Sequence, residues 1–101
     1  MTIEAAFTEN DEMLVISIKG AFDFPMLNDF RRAYSGDFDN STKIVIDMRD
    51  TLSINSSALG MLLNMQRHLN KNDGEISIIN CNEVVQKIFK ITHFNKKFNI
   101  E

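Results

Sequence analysis

The stretch Ile44–Leu63, IVIDMRDTLSINSSALGMLL, decides how this chain is read. It opens on a β-branched apolar run, Ile44-Val45-Ile46, which ends in the charged segment Asp47-Met48-Arg49-Asp50. A short apolar run bounded in this way reads as a buried strand. A polar turn, Asn55-Ser56-Ser57, then leads into a run of helical character from Ala58 to Leu69. A strand that passes through a turn into a helix leaves several backbone N–H groups without partners at one place. Here small hydroxyl side chains stand beside them, so the place is one to be modified or recognised.

Outward towards the N-terminus, Thr2–Thr8 alternates with period 2 and sets Ile3, Ala5 and Phe7 on one face. Met13–Lys19 alternates likewise, with Leu14, Ile16 and Ile18 on one face and Met13, Val15 and Ser17 on the other. The polar link Glu9-Asn10-Asp11-Glu12 between the two runs predicts an antiparallel hairpin. Gly20–Pro25 breaks the pattern, and proline is well tolerated in the first turn of a helix. Met26, Leu27, Phe30, Ala33 and Tyr34 follow the 3–4 spacing of an amphipathic helix over 26–34. Ser35–Ser41 is a loop in which Phe38 is expected to fold back as a plug, and Lys43–Met48 is the third strand.

Outward towards the C-terminus, a helix is predicted over Ser57–Asn70. At 100° per residue Ala58, Met61, Leu62, Met65 and Leu69 cluster, and Leu59, Leu63 and Gln66 continue the arc. An arc of roughly 200° is wider than packing on one sheet requires. Either its edge Ala58-Met61-Met65 stays accessible, or Phe38 or another loop covers it. Asn72-Asp73-Gly74 stops the helix, with Gly74 available for a left-handed cap. Glu75–Asn80 is the fourth strand. Asn82 is placed to cap a helix over Glu83–Ile91 with Val84, Val85, Ile88 and Phe89 inward, and Lys97–Ile100 forms a short last strand. The order β-β-α-β-α-β-α-β predicts an α/β fold with an antiparallel start and a mostly parallel sheet.

Composition narrows the classes. A chain of 101 residues, 44% apolar and 25% charged, is read as one globular domain over 1–101. A net charge of −3 gives no electrostatic case for nucleic acid. No apolar run approaches the ~20 residues that span a bilayer. The acidic N-terminus lacks the basic and apolar regions of a signal peptide. The single cysteine, Cys81, cannot form an internal disulfide, which fits a reducing compartment, so a cytoplasmic location is expected. Between Asn80 and Asn82 it reads as a small residue at a strand end.

Catalytic constellations are scarce. His68 and His93 stand in no metal-ligand spacing with Cys81 or a carboxylate pair. The four glycines are isolated, so there is no phosphate-binding loop, and no G-x-S-x-G elbow activates a serine. Asp23, Asp47 and Asp50 near strand ends could imitate a phosphoacceptor pocket or could be solvated loop carboxylates. We expect no enzymatic activity, no cofactor and no metal.

The run Asn55-Ser56-Ser57-Ala58-Leu59-Gly60, after a strand ending in Asp47, resembles the STAS family, the anti-sigma factor antagonists of bacterial partner-switching systems. The family pattern there is D-S-S-G-L-G. Gly20-Ala21-Phe22-Asp23 resembles the family's Gly-x-x-Asp before its first helix, and Asp73-Gly74-Glu75-Ile76-Ser77-Ile78 resembles the strand after its second. Val84–Ile100 resembles its closing helix, break and strand. The resemblance implies a mixed sheet of four to five strands with helices packed on one face. It also implies a phosphorylatable serine, Ser56, acted on by a partner serine kinase that is in many systems the anti-sigma factor. The same resemblance implies that a PP2C-type phosphatase reverses the modification and that the unmodified form binds the anti-sigma factor. Asn55 departs from the family's Asp, and Ala58 from its Gly. From these residues we expect a partner surface made of Asp23, Asn55, Ser56, Ser57, Ala58, Met61 and Met65. The alternative is a STAS scaffold subunit of a larger sensory assembly, not switched by its own serine.

Overall fold

The computed structural model describes residues 2–8, 12–36 and 41–101. Its order is β1 (Thr2–Phe7), β2 (Met13–Phe22), α1 (Leu27–Ala33), β3 (Lys43–Asp47), β4 (Thr51–Ile54), α2 (Ser56–His68), β5 (Ile76–Ile79), α3 (Glu83–Ile91) and β6 (Asn99–Ile100). β1 pairs antiparallel with β2, and the other pairings are parallel, in the order β1-β2-β3-β5-β6, with β4 also on β2. The described residues thus form a six-stranded mixed α/β sheet with an antiparallel N-terminal hairpin and three α-helices.

The sixth strand is β4, which the sequence pattern does not announce. β2 runs on past Lys19, where the alternation in the sequence stops. Its first half pairs with β3, and its last residues, Gly20–Phe22, pair with β4. Gly20 adopts φ 88°, a left-handed conformation that costs glycine little, and the register shifts between Gly20 and Ala21. Glycine therefore bends the strand without ending it. The buried Thr51 hydroxyl donates to the Ile18 carbonyl at 2.7 Å, and the Gly20 N–H donates to the Asp50 carbonyl at 2.9 Å. These bonds seat the Met48–Asp50 turn on β2 and line β4 up behind β3.

One face of the sheet carries the core. Leu14, Ile16 and Ile18 of β2, Ile44 and Ile46 of β3, and Ile76 and Ile78 of β5 are buried against Phe22, Phe30, Leu62, Met65, Phe89 and Phe98. Each such side chain contributes about 1.5–3 kcal/mol through burial. The alternate residues Val15, Val45, Ser77 and Ile79 are only half-buried, so the helices lie on one face, as expected. β1 is an edge strand. Ile3 packs against the core, whereas Ala5 and Phe7 on the same side are exposed. Glu9, Asn10 and Asp11 of the expected turn, and the expected Phe38 plug, lie outside the described residues.

Asn82 caps α3 as expected, its Oδ1 accepting from the Val85 N–H at 2.8 Å. The left-handed position after α2 falls on Asn70, φ 56°, and not on Gly74, which takes its positive φ in the turn before β5. Val84, expected inward, is 61% exposed. The largest correction concerns α2. Ala58, Met61 and Met65 are not an accessible edge: all three are buried, Met61 to 4% exposure. The wide apolar arc is used up inside, because α2 packs both on the sheet and among residues of the core cluster contributed by its neighbours.

Met61 is accordingly a core residue. Met61→Ala is expected to lower the unfolding free energy by about 2–5 kcal/mol, measured by urea denaturation followed by circular dichroism.

Candidate functional site

β2 and β4 run in the same direction, with Phe22 opposite Ile54. The residues that follow them, Asp23 and Asn55, therefore emerge at one end of the sheet. Asp23 opens a short 3-10 turn, Phe24–Met26, and its carbonyl accepts from the Met26 N–H at 3.0 Å. Its side chain is half-buried, and Oδ1 has no hydrogen-bond partner among the described residues. Asn55 is extended, φ −129° and ψ −175°, as an N-cap should be. Its Oδ1 accepts from the Ala58 N–H at 3.1 Å, and its carbonyl accepts from the Leu59 N–H at 3.3 Å.

Ser56 is the first residue of α2 and is exposed, whereas Ser57 is half-buried. The N–H groups of the first turn have no acceptor within the helix, and the macrodipole adds partial positive charge there. An anion attached at Ser56 would thus meet a favourable field. Asn55 serves the cap with a neutral carbonyl oxygen, so the departure from Asp removes a charge and keeps the capping bond.

The structure brings Asp23, Asn55, Ser56 and Ser57 to one end, but not Met61 or Met65. Ala58 lies beside the turn, with its side chain in the core. The exposed side of α2 is instead polar: Gly60, Asn64 and Arg67. The exposed apolar groups near this end come from residues that the sequence reading passed over. Phe24 is 63% exposed and follows Asp23; Leu52 is 73% exposed on β4. No alternation signals the second: on β4 Thr51 and Ile54 are buried while Leu52 and Ser53 between them are exposed, a pattern without period 2.

The three aspartates do not form one pocket. Asp47 and Asp50 line a small cavity with Glu4, Lys19 and Arg49, and Asp23 lies beyond it, past the end of β2. Asp47 Oδ1 accepts from the Asn80 side chain at 3.1 Å and from the Arg49 N–H at 3.0 Å. His68 is exposed, with its ring 5.5 Å from that of Tyr34. Burial raises the pKa of the Tyr34 hydroxyl, an effect partly opposed by the Arg31 charge. Burial pushes the Cys81 thiol up to about 11.

With this geometry in place, three comparisons bear on the chain. The STAS domain model matches residues 4–101. A STAS-domain containing protein of Pseudomonas aeruginosa is 38% identical over 100 residues, covering 99% of each chain. The chain belongs to the STAS family. Among solved structures, the STAS chain is similar to the anti-sigma factor antagonist SpoIIAA in its unphosphorylated form. That match has a TM-score of 0.65 and 18% identity over 89% of this chain and 83% of the other. It is also similar to an anti-sigma factor antagonist from Mycobacterium paratuberculosis, with a TM-score of 0.75 and 20% identity over 98% and 85%. These likenesses show the shared fold. No helix among the described residues is long and apolar enough to cross a membrane.

Two outcomes follow from the site. Asn55→Ala is expected to lose about 0.5–2 kcal/mol of stability, whereas Asn55→Asp retains the cap and melts close to wild type; differential scanning calorimetry separates them. At pH 8 Cys81 is expected to react with iodoacetamide at least ~100-fold more slowly in the folded protein than in urea, because the raised pKa leaves less thiolate.

Proposed function

We propose that this STAS domain is an anti-sigma factor antagonist of the partner-switching type, controlled by phosphorylation of Ser56. The observation that carries the reading is the exposed Ser56 hydroxyl at the start of α2, at the sheet end that also holds Asp23. A kinase can reach the hydroxyl without unfolding the helix. The structural likeness to two anti-sigma factor antagonists supports the same role.

In this reading the unmodified domain binds an anti-sigma factor, or an equivalent effector that is itself an ATPase-type serine kinase, in the cytoplasm. Binding uses Asp23, Phe24, Asn55, Ser56, Ser57 and the exposed Leu52, with no catalytic group supplied by the domain itself. Phosphorylation adds about −1.5 to −2 charges at the centre of that contact. The added charge must be desolvated for the partner to dock, and it stands at the end of the sheet that already carries the Asp23 carboxylate. The N-terminus of α2 stabilises the phosphate within the free domain. The modification therefore opposes the complex and spares the fold. A PP2C-type phosphatase restores the binding form.

Ser57 is the weaker acceptor because it is half-buried and one residue further into the helix. Incubation with the cognate kinase and phosphopeptide mapping is expected to find phosphate on Ser56; phosphate on Ser57 alone, or none on either serine in cells, would favour a scaffold subunit or another site. Ser56→Ala is expected to bind the partner whether or not kinase and ATP are present. Ser56→Asp is expected to bind at least ~10-fold more weakly while melting within a few degrees of wild type, since a carboxylate at a helix N-terminus is worth about 0.3–1 kcal/mol in its favour.

A further inference from the structure

The last turns of α1 and α2 meet at a distance from Ser56. Between them lies a cleft of about 510 Å³, lined by Arg31, Tyr34 and Ser35 at the end of α1 and by Asn64 and His68 of α2. That volume is within the range of small-molecule sites. Asn64 and His68 lie 8 and 12 residues after Ser56. At 1.5 Å per residue the cleft is about 12–18 Å along α2 from the serine.

Tyr34 is the fixed point of the cleft. It is 5% exposed, with its ring edge-on to Phe30 at 5.4 Å and tilted against His68 at 5.5 Å. A tyrosine hydroxyl on a buried ring usually has a hydrogen-bond partner. This one has none among the described residues, and its oxygen is not sealed from solvent. The hydroxyl therefore opens on the cleft that its residue lines.

Other donors stand around it. Arg31 makes no ion pair or hydrogen bond with a described residue, and its charge acts on the Tyr34 hydroxyl. Asn64 Oδ1 accepts from Arg67 Nη2 at 2.9 Å, which leaves the Asn64 amide N–H groups for another partner. The His68 ring nitrogens have none among the described residues. Ser35 donates to the Arg32 carbonyl at 3.1 Å and so offers the cleft only an acceptor. No carboxylate of a described residue lines the cleft, and Asp29 of α1 faces Arg32 at 3.7 Å. Basic side chains in a last turn complement the helix dipole, which accounts for the charge of Arg31 and His68. It does not account for a phenol on a buried ring without a partner. The carbonyls of Arg31, Arg32, Met65, Gln66 and Arg67 each accept from a backbone N–H, so the helix ends hold few bare acceptors that would repel an anion.

We infer that this cleft binds the phosphate monoester of a small molecule, with Arg31, Tyr34, Asn64 and His68 as hydrogen-bond donors. A set of unpartnered donors calls for an anion. A carboxylate offers two oxygens in one plane. A phosphate monoester offers three around a tetrahedral centre, which suits donors placed on both walls. A phosphate group fills only a small part of the volume, which leaves room for an organic body beside the exposed His68 ring. The site is independent of the reading of Ser56, because none of its residues belongs to the turn at the other end of α2.

The probes are phenyl phosphate, inorganic phosphate and phenol, titrated into the full chain at constant ionic strength and followed by amide shifts in an isotope-labelled sample. Phenyl phosphate is expected to saturate with a Kd below ~1 mM and to shift amides at residues 31–35 and 64–68. Inorganic phosphate is expected to bind at least ~3-fold more weakly, and phenol not to saturate. Tyr34→Phe keeps the ring and removes only the hydroxyl. It is expected to melt close to wild type and to bind phenyl phosphate ~10-fold more weakly. Arg31→Gln is expected to weaken binding at least as much. Arg32→Gln, on the side that faces Asp29, and Ser56→Asp are expected to leave it unchanged. Binding that survives both Tyr34→Phe and Arg31→Gln overturns the proposal, as does no saturation at ~10 mM. Shifts centred on the first turn of α2, or loss of binding in Ser56→Asp, place the anion at the serine end and also overturn it. Inorganic phosphate or phenol binding as tightly as phenyl phosphate assigns the cleft to the free ion or to an uncharged ligand, which overturns the monoester.

Discussion

The arrangement depends on one strand serving two partners. β2 is shared between β3 and β4, and the transfer is made at Gly20, whose left-handed backbone shifts the register, and at Thr51, whose buried hydroxyl reaches the Ile18 carbonyl. A side chain at position 20 would strain that conformation, and a residue without the hydroxyl at 51 would leave a ladder carbonyl without its partner. From this transfer follows the direction of β4, from β4 the place where α2 begins, and from the cap at Asn55 the exposure of Ser56. The serine is thus presented by the centre of the sheet and not by a free loop.

The exposed serine turn and the core are accordingly kept apart on one helix. The side of α2 that carries Ala58, Met61 and Met65 belongs wholly to the interior, while its first turn and its polar outer side face solvent. Charge can be added at the first turn without entering the apolar packing. Such a division lets the electrostatics of this end change while the fold keeps its stability.

Much of the fold was legible in the sequence because periodicity and burial coincide there. β1 and β2 alternate with period 2, Lys43–Asp47 is a β-branched run, and Glu83–Ile91 shows both its cap and its limits. What was not legible depended on neighbours. Gly20 reads as a break, and only its pairing with Thr51 shows that it bends a continuing strand. Thr51–Ile54 is too short to stand out after Arg49-Asp50, and its strand character comes from β2. A helical wheel gives the width of an apolar arc but not how much of it neighbours will cover. That is why Met61 and Met65 read as a surface, and Val84 as core, when each is the reverse. At the site, the turn Asn55-Ser56-Ser57 and the Asp23 loop could be read from the chain, whereas Phe24 and Leu52 needed the sheet to bring them near it.

The central position of β2 also bears on how the molecule assembles. Its hairpin with β1 is local, but its register partners on β3 and β4 are far along the chain: Leu14 meets Ile44, and Gly20 meets Thr51. β3 must in turn wait for β5, where Ile44 meets Ile76. Closing such large loops costs chain entropy before any ladder bond returns it, and non-local parallel pairing slows folding accordingly. The hairpin can form early, yet the turn Asn55-Ser56-Ser57 cannot take its place until β2 has found β4. A nascent chain therefore has a helix N-terminus ready for recognition only after most of its long-range contacts have closed.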